Sequence, residues 1–154
     1  MQYEAALLGA ETKQNVPFHV NKTVSSVLPE SEETNADRES RMLTTLDHLT
    51  EGGPFSQPDL LKLDVQGYEL EVLRGGERIL ETHPPELILM EVSLIEINEG
   101  APLAADVVEF MSRTDYRLYD ICSFMRRPYD DALWQIDALF VHEESALVAS
   151  QRWG

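Results

Sequence analysis

The sequence predicts an α/β fold in which a mostly parallel sheet has an antiparallel last strand. The first observation is a pair of short, nearly continuous apolar runs at residues 60–65 and 87–92, which are typical of parallel strands buried on both faces. A short helix over residues 68–74 is predicted between them, so the segment forms a βαβ crossover. The second observation is a pair of strand patterns, residues 116–121 and 135–141, with no helical pattern between them. These two strands are therefore expected to pair antiparallel.

The other predicted elements follow in order along the chain. Residues 3–8 and 16–20 are predicted strands, and residues 29–40 have the composition of an irregular loop. A brief apolar segment at residues 41–49 ends in breaker residues, and residues 77–82 add a helical turn after the first helix. Pro102 suits the first position of another helix, whose apolar face is formed by Leu103, Val107, Phe110 and Met111.

The composition indicates a single cytoplasmic domain over residues 1–154. Its 28 acidic residues outnumber 12 Lys and Arg, and the formal charge of −16 disfavours binding to a nucleic acid or an anionic membrane. The acidic run within residues 29–39 is more typical of a solvated loop than of a partner-binding tail. No apolar run reaches the roughly 20 residues that span a bilayer. The single cysteine, Cys122, fits a reducing compartment and is expected to be a small core residue.

Two carboxylates are predicted where an open α/β sheet binds its ligands, beyond the carboxyl ends of its strands. Asp64 closes one predicted strand before a turn at Gly67, and Glu91 lies near the end of the next strand. If the strands are neighbours, both side chains face one crevice and can bind a divalent cation or supply a general base. Position alone equally allows Asp64 to cap the following helix and Glu91 to hydrogen-bond a neighbouring loop.

One long motif and three shorter elements occur in a fixed order along the chain. Residues 61–75, LKLDVQGYELEVLRG, have the pattern apolar-Lys-apolar-Asp-Val-Glu/Gln-Gly-x-Glu, followed by a Leu-rich turn that ends in Arg-Gly. The shorter elements are residues 45–47 upstream, and residues 89–92 and 137–141 downstream. In this order the four elements resemble the FkbM-type family of S-adenosylmethionine-dependent methyltransferases.

The resemblance implies the C-terminal part of a Rossmann-like class I methyltransferase domain, whose sheet is mostly parallel with an antiparallel last strand. It also implies transfer of a methyl group from S-adenosylmethionine to a hydroxyl of a sugar or other small molecule. Asp64 is then expected to take the hydroxyl proton or to orient the acceptor, with Glu91 as the second catalytic candidate. Glu69, in the same motif, is expected on the helix surface.

The sequence departs from the family in its glycines. Family members carry a glycine-rich turn and an acid that binds the ribose hydroxyls, whereas none of the eight glycines here forms a G-x-G. Residues 3–9 correspond to the third strand of the fold, so the cofactor-binding strands before it are expected to be missing, with Gly9 near the adenine and Asp64 as the second cofactor contact. The alternative is a non-catalytic partner module, and the bare sheet edge favours a homo-oligomer.

The remaining polar residues suggest no metal site. None of the histidines lies at ligand spacing from another histidine or from the cysteine; they are His19, His48, His83 and His142. Arg126 and Arg127 are expected in a solvated loop, with contact to an anionic substrate as the alternative. Trp134 and Trp153 are expected to pack, and the alternative for Trp134 is to line a substrate pocket.

Overall fold

The computed structural model describes residues 4–20, 27–28, 37–52, 55–96, 98–150 and 152–153. Within these ranges the strands are β1 (Leu7–Leu8), β2 (Lys13–Val20), β3 (Asp37–Thr44), β4 (Leu60–Leu63), β5 (Leu87–Ser93), β6 (Tyr116–Arg126) and β7 (Leu133–His142). The helices are α1 (Leu46–Leu49), α2 (Glu69–Arg74), α3 (Glu77–Thr82) and α4 (Ala104–Ser112), followed by a 3-10 turn at Ala146–Val148. No helix in the described part of the chain has the length and apolar character needed to span a membrane.

The strands form two mixed sheets. In the four-stranded sheet the order is β4-β5-β7-β6, with β4 parallel to β5 and the other two pairs antiparallel. In the three-stranded sheet β3 lies between β1, to which it is parallel, and β2, to which it is antiparallel. The predicted βαβ crossover and the antiparallel last pair are confirmed. A mostly parallel sheet is not what the described strands form, because β7 enters between β5 and β6 and pairs antiparallel with both.

The N-terminal sheet differs from the sequence prediction in its strand boundaries. The irregular loop predicted at residues 29–40 is wrong at its end, because β3 begins at Asp37. Apolar periodicity misses this start because it is polar, and Glu39 and Ser40 are exposed. The first predicted strand shortens to β1. The beginning of that predicted strand, residue 3, and most of the predicted acidic loop, residues 29–36, lie outside the described residues.

The β6–β7 hairpin is longer than the sequence indicates. Its turn closes where the Arg127 amide donates to Ala132 O at 3.0 Å, and both Arg127 guanidinium contacts to the Asp130 carboxylate measure 2.6 Å. Arg126 donates to Asp131 O at 2.7 Å, so both arginines serve the turn. Cys122 and Trp153 are both exposed, so the prediction that each is packed is wrong. The pairing register shifts between Ile121 and Ser123, so Cys122 is an extra residue in a bulge.

The core lies between the four-stranded sheet and helices α2, α3 and α4. Alternate residues of β5 are fully buried, as expected for one face of a strand. Helix α2 buries Leu70 and Leu73, and helix α4 buries Val107 and Met111, as their periodicity predicts, whereas Leu103 and Phe110 are only partly buried. Helix α4 begins at Ala104, so the prediction of Pro102 at its first position is wrong. The core cluster includes Leu70 and Leu73 of α2, Ile79 of α3, Ile88, Met90 and Val92 of β5, Val107 and Met111 of α4, and Ala138 and Phe140 of β7.

Parallel pairing of β4 with β5 positions the candidate site. Leu63, the last residue of β4, lies opposite Met90, so Asp64 and Glu91 are the next residues towards the carboxyl ends of the two strands. The condition for a shared crevice, that the two strands are neighbours, is therefore met. Among the described strands β4 has one partner and lies at the sheet edge, where Leu60 is 53% exposed.

Candidate active site

The turn after β4, residues 64–67, brings Asp64 and Glu91 together. Gln66 and Gly67 both have left-handed backbone conformations, with φ of 54° and 91°. From this position the side-chain amide of Gln66 donates to Asp64 Oδ1 at 3.1 Å and to Glu91 Oε1 at 2.8 Å. One amide group therefore joins the two carboxylates across the ends of neighbouring strands. The sequence prediction included both carboxylates and missed Gln66, although Gln66 lies inside the motif.

The two carboxylates differ in their affinity for a proton. Lys62 Nζ lies 2.8 Å from Asp64 Oδ2, and this hydrogen bond, with the lysine charge, holds the pKa of Asp64 below its ordinary value. Glu91 is half-buried, and burial, followed by the nearby charge of Asp64, raises its pKa. Such opposite shifts in a neighbouring pair assign different roles to the two groups, because one stays ionised while the other binds a proton more readily.

Strand β7 extends the polar surface past Glu91. Asp137 lies directly opposite Glu91 in the antiparallel register, and its charge also raises the pKa of Glu91. The Ser123 hydroxyl on β6 donates to the Asp137 carboxylate. These three side chains border a cavity of about 60 Å³, together with Phe124, Met125, Gln135 and Ile136. A space of this size accommodates a water molecule or a single hydroxyl group.

Glu69 does not lie on the helix surface, and that prediction is wrong. Its residue is only 3% exposed, and Glu69 Oε1 accepts hydrogen bonds from the backbone amides of Val65 and Gly67, both at 3.2 Å. Burial raises its pKa, and these backbone hydrogen bonds partly offset the effect. Helical periodicity assigns Glu69 to a solvated face, whereas the preceding turn folds back over its carboxylate.

The short element at residues 45–47 stabilises the helices and does not contact the carboxylate pair. Asp47 accepts hydrogen bonds from the backbone amides of Arg78 at 3.0 Å and Ile79 at 2.9 Å, so it caps α3 from a distant position in the chain. Thr45 Oγ1 accepts from the His48 amide at 3.1 Å and caps α1. This element of the motif therefore fixes α1 against α3.

Gly9 is buried by packing. A Cβ at this position would lie 2.5 Å from Leu43 Cδ2 and 3.1 Å from Tyr68 Cε1, and the Gly9 amide already donates to Thr44 O at 2.9 Å. The larger cavities, of about 870 and 580 Å³, are lined elsewhere, and neither includes Gly9 or Asp64. Neither of these two cavities therefore places Gly9 and Asp64 around one ligand. Their role as cofactor contacts stays a prediction.

The fold and the carboxylate pair define an α/β domain with a polar site at the ends of two parallel strands. The sequence model of the methyltransferase FkbM domain family matches residues 4–118, roughly three quarters of the chain. The chain therefore belongs to the FkbM methyltransferase family. Neither a curated protein nor a solved structure matches it.

Proposed function

We propose that this chain acts in O-methylation, with a hydroxyl of a sugar or other small molecule as the acceptor and Glu91 and Asp64 at the acceptor position. The main support is that Gln66 Nε2 lies 3.1 Å from Asp64 Oδ1 and 2.8 Å from Glu91 Oε1, so the two carboxylates form one site. The chain that carries this site belongs to a methyltransferase family. Family membership implies S-adenosylmethionine as the methyl donor. Because neither of the two larger cavities includes Gly9 or Asp64, the proposal concerns the acceptor side.

Glu91 is the proposed general base. A hydroxyl that accepts a methyl group must lose its proton, and a carboxylate with a raised pKa holds that proton better than an ordinary one. Burial and the neighbouring carboxylates supply this rise at Glu91. The cavity beside Glu91 has room for the hydroxyl group.

Asp64 is the proposed orienting group. Its carboxylate stays ionised because Lys62 holds its pKa low, and its side chain is 45% exposed. An ionised carboxylate offers about four acceptor sites, so Asp64 can bind Lys62, Gln66 and a hydroxyl of the acceptor together.

The charge of the site favours a neutral acceptor. Asp64, Glu91 and Asp137 lie close together, and the chain as a whole carries a formal charge of −16. An anionic acceptor would meet like charges at the point where its hydroxyl must approach Glu91, and such juxtaposition disfavours binding. A sugar or polyol hydroxyl avoids this repulsion and donates hydrogen bonds to the carboxylates.

A methyl-transfer assay tests the roles of the two carboxylates. The chain is incubated with methyl-labelled S-adenosylmethionine and a panel of simple glycosides and polyols, and labelled product is measured. Glu91→Gln is expected to lower the rate by about 100-fold or more, the usual contribution of a general base. Asp64→Asn is expected to lower the rate and also to raise the KM for the acceptor. Glu71→Gln is the matched control, because Glu71 pairs with Arg74 on α2 and lies outside the carboxylate pair. Wild-type rates in Glu91→Gln would refute the proposed base.

A second candidate function is a non-catalytic partner module. It is favoured by the absence of G-x-G from the sequence, and by the linings of the two larger cavities, which include neither Gly9 nor Asp64. Calorimetric titration with S-adenosylmethionine separates the two functions. Micromolar binding supports the enzyme, and no binding by a folded sample supports the module.

We further propose that the β4 edge pairs with a second copy of the chain. The edge exposes Leu60, and exposed strand edges are templates for pairing. Sedimentation analysis over a concentration series measures the association. Leu60→Lys should weaken it, and an unchanged monomer fraction in this variant would exclude the edge as the contact.

A further inference from the structure

We infer that Glu69 and Asn98 are positioning residues, which together fix the peptide between Gln66 and Gly67 so that the Gln66 side chain joins Asp64 to Glu91. The catalytic meaning of this inference rests on the proposed function. The structural claim stands on the hydrogen bonds of the turn, and it can be tested without a cofactor or an acceptor.

The peptide between Gln66 and Gly67 is held at both of its polar ends. Its N–H, which belongs to Gly67, donates to Glu69 Oε1 at 3.2 Å. Its carbonyl, which belongs to Gln66, accepts from Asn98 Nδ2 at 2.8 Å. A flip of this peptide would break both hydrogen bonds at once. The two side chains therefore fix the orientation of a single peptide plane from α2 on one side and from the loop after β5 on the other.

The backbone of the turn needs such support. Gln66 has φ of 54°, a left-handed conformation that is disfavoured for residues with a Cβ and persists where the surroundings fix it. Gly67 follows with φ of 91°, and a Cβ there would lie 2.6 Å from Ala101 Cβ. The turn is thus pressed against the loop that carries Asn98. Any relaxation of Gln66 towards an ordinary φ would carry its side-chain amide away from the carboxylates.

Glu69 is buried at a cost that its contacts to the turn offset. A buried carboxylate is unfavourable unless it is hydrogen-bonded, and Glu69 is 3% exposed. Its Oε1 accepts from Val65 as well as from Gly67, so one oxygen binds both ends of the turn. A residue needed only for α2 would lie on the helix surface, as Glu71 does beside Arg74.

Asn98, in the loop after β5, is also buried and hydrogen-bonded to the turn. It is 5% exposed, and the Ala101 amide donates to its backbone carbonyl at 3.0 Å, which fixes its position. Its Oδ1 is buried with no hydrogen-bond donor among the residues that the structure describes. A buried unpaired acceptor is destabilising. Asparagine at this position is therefore best explained by the bond that its Nδ2 donates to Gln66.

The test compares paired variants of the full chain by NMR. Glu69→Asp keeps the charge but is one methylene too short to reach the turn, and Glu71→Asp is its control on the same helix. Asn98→Ala removes the hydrogen bond to the Gln66 carbonyl, and Glu99→Ala is its control because Glu99 is an exposed neighbour. Amide hydrogen exchange is measured at Val65 and Gly67. Loss of a hydrogen bond to a charged group should speed exchange at Gly67 by at least about tenfold in Glu69→Asp.

A second readout separates positioning from simple structural support. The Gln66 amide is one of the groups that keep the pKa of Asp64 low. In Glu69→Asp and Asn98→Ala, the carboxyl of Asp64 should therefore titrate at higher pH, while exchange at Val72 and Leu73 within α2 stays unchanged. Glu69→Gln, which keeps an acceptor oxygen, should restore slow exchange at Gly67 in part.

Three results would overturn the inference. They are exchange at Gly67 equal to that of the control variants, an unmoved titration of Asp64, and uniform acceleration across α2, which would make Glu69 a helix-stabilising residue only. If Glu69→Asp does not fold, Asn98→Ala decides the question alone. None of these readouts depends on methyl transfer, so failure of the inference and failure of the proposed function are distinguishable.

Discussion

Replacement of Gly75 by alanine tests how closely the end of β1 approaches the joint between α2 and α3. The new Cβ would lie 2.1 Å from Gly9 O and 3.0 Å from Gly9 C. Gly75 has φ of −75°, which alanine adopts freely, so backbone strain does not oppose the substitution and this contact is its main cost. The contact is more than about 1 Å closer than van der Waals distance. Because it involves backbone atoms, no side-chain rotation can relieve it.

The cost follows from the bonds that the clash would disturb. Separation of the two segments strains the hydrogen bonds from Gly9 N to Thr44 O and from Asp47 N to Gly75 O, both 2.9 Å. Overpacking costs about 1–3 kcal/mol, and each weakened hydrogen bond about 1 kcal/mol. We therefore expect Gly75→Ala to lower the free energy of unfolding by roughly 3 kcal/mol.

Urea unfolding followed by circular dichroism measures this loss. Gly100→Ala is the control, because no atom lies within 4 Å of its Cβ and only its φ of 78° opposes the substitution. That strain costs about 1–2 kcal/mol. A loss for Gly75→Ala smaller than about 0.5 kcal/mol, the range of inert surface substitutions, would refute the close approach.

Three further predictions concern the carboxylates. The pKa of Glu91 is raised in the folded state, so between the ordinary carboxyl pKa and this raised value the folded state binds more protons and stability falls as pH rises. Urea unfolding of wild type and Glu91→Gln at several pH values measures this contribution as the difference between the two free energies of unfolding. That difference should fall as pH rises, and a rise with pH would contradict the prediction. Gln66→Ala removes a hydrogen bond that lowers the pKa of Glu91, so this pKa should rise further in an NMR titration, and an unmoved value would exclude the bond. Asp47→Ala should lower the free energy of unfolding by about 1–2 kcal/mol in a thermal unfolding experiment, because α3 loses its cap. His48→Ala is the control, because His48 is an exposed neighbour, and equal stability of the two variants would exclude the capping role.

The sequence predicts the elements whose apolar pattern is local. β4, α2 and β5 follow from runs of adjacent residues, and so does the antiparallel pair β6 and β7. The start of β3 is polar and becomes a strand only by pairing with β2, so no local pattern reveals it. The entry of β7 between β5 and β6 is likewise a long-range event. This single placement makes the sheet mixed.

In the candidate site, too, some residues are predictable from the sequence and others are not. Asp64 and Glu91 are predictable because carboxyl ends of neighbouring parallel strands meet at one sheet edge. The contact from Gln66 depends on a left-handed φ, which residue type alone does not indicate. Asn98 reaches the turn from a loop 32 residues away. Glu69 is misassigned by helical periodicity because its carboxylate belongs to the turn.

The central claim is that Asp64 and Glu91 form one pair whose proton affinities are driven apart. Carbon-detected NMR titration of the side-chain carboxyls in the full chain tests it most directly. The account predicts that Asp64 titrates below the ordinary pKa of aspartate and Glu91 above that of glutamate. Titration of both groups at their ordinary values, or with the two shifts reversed, would contradict it.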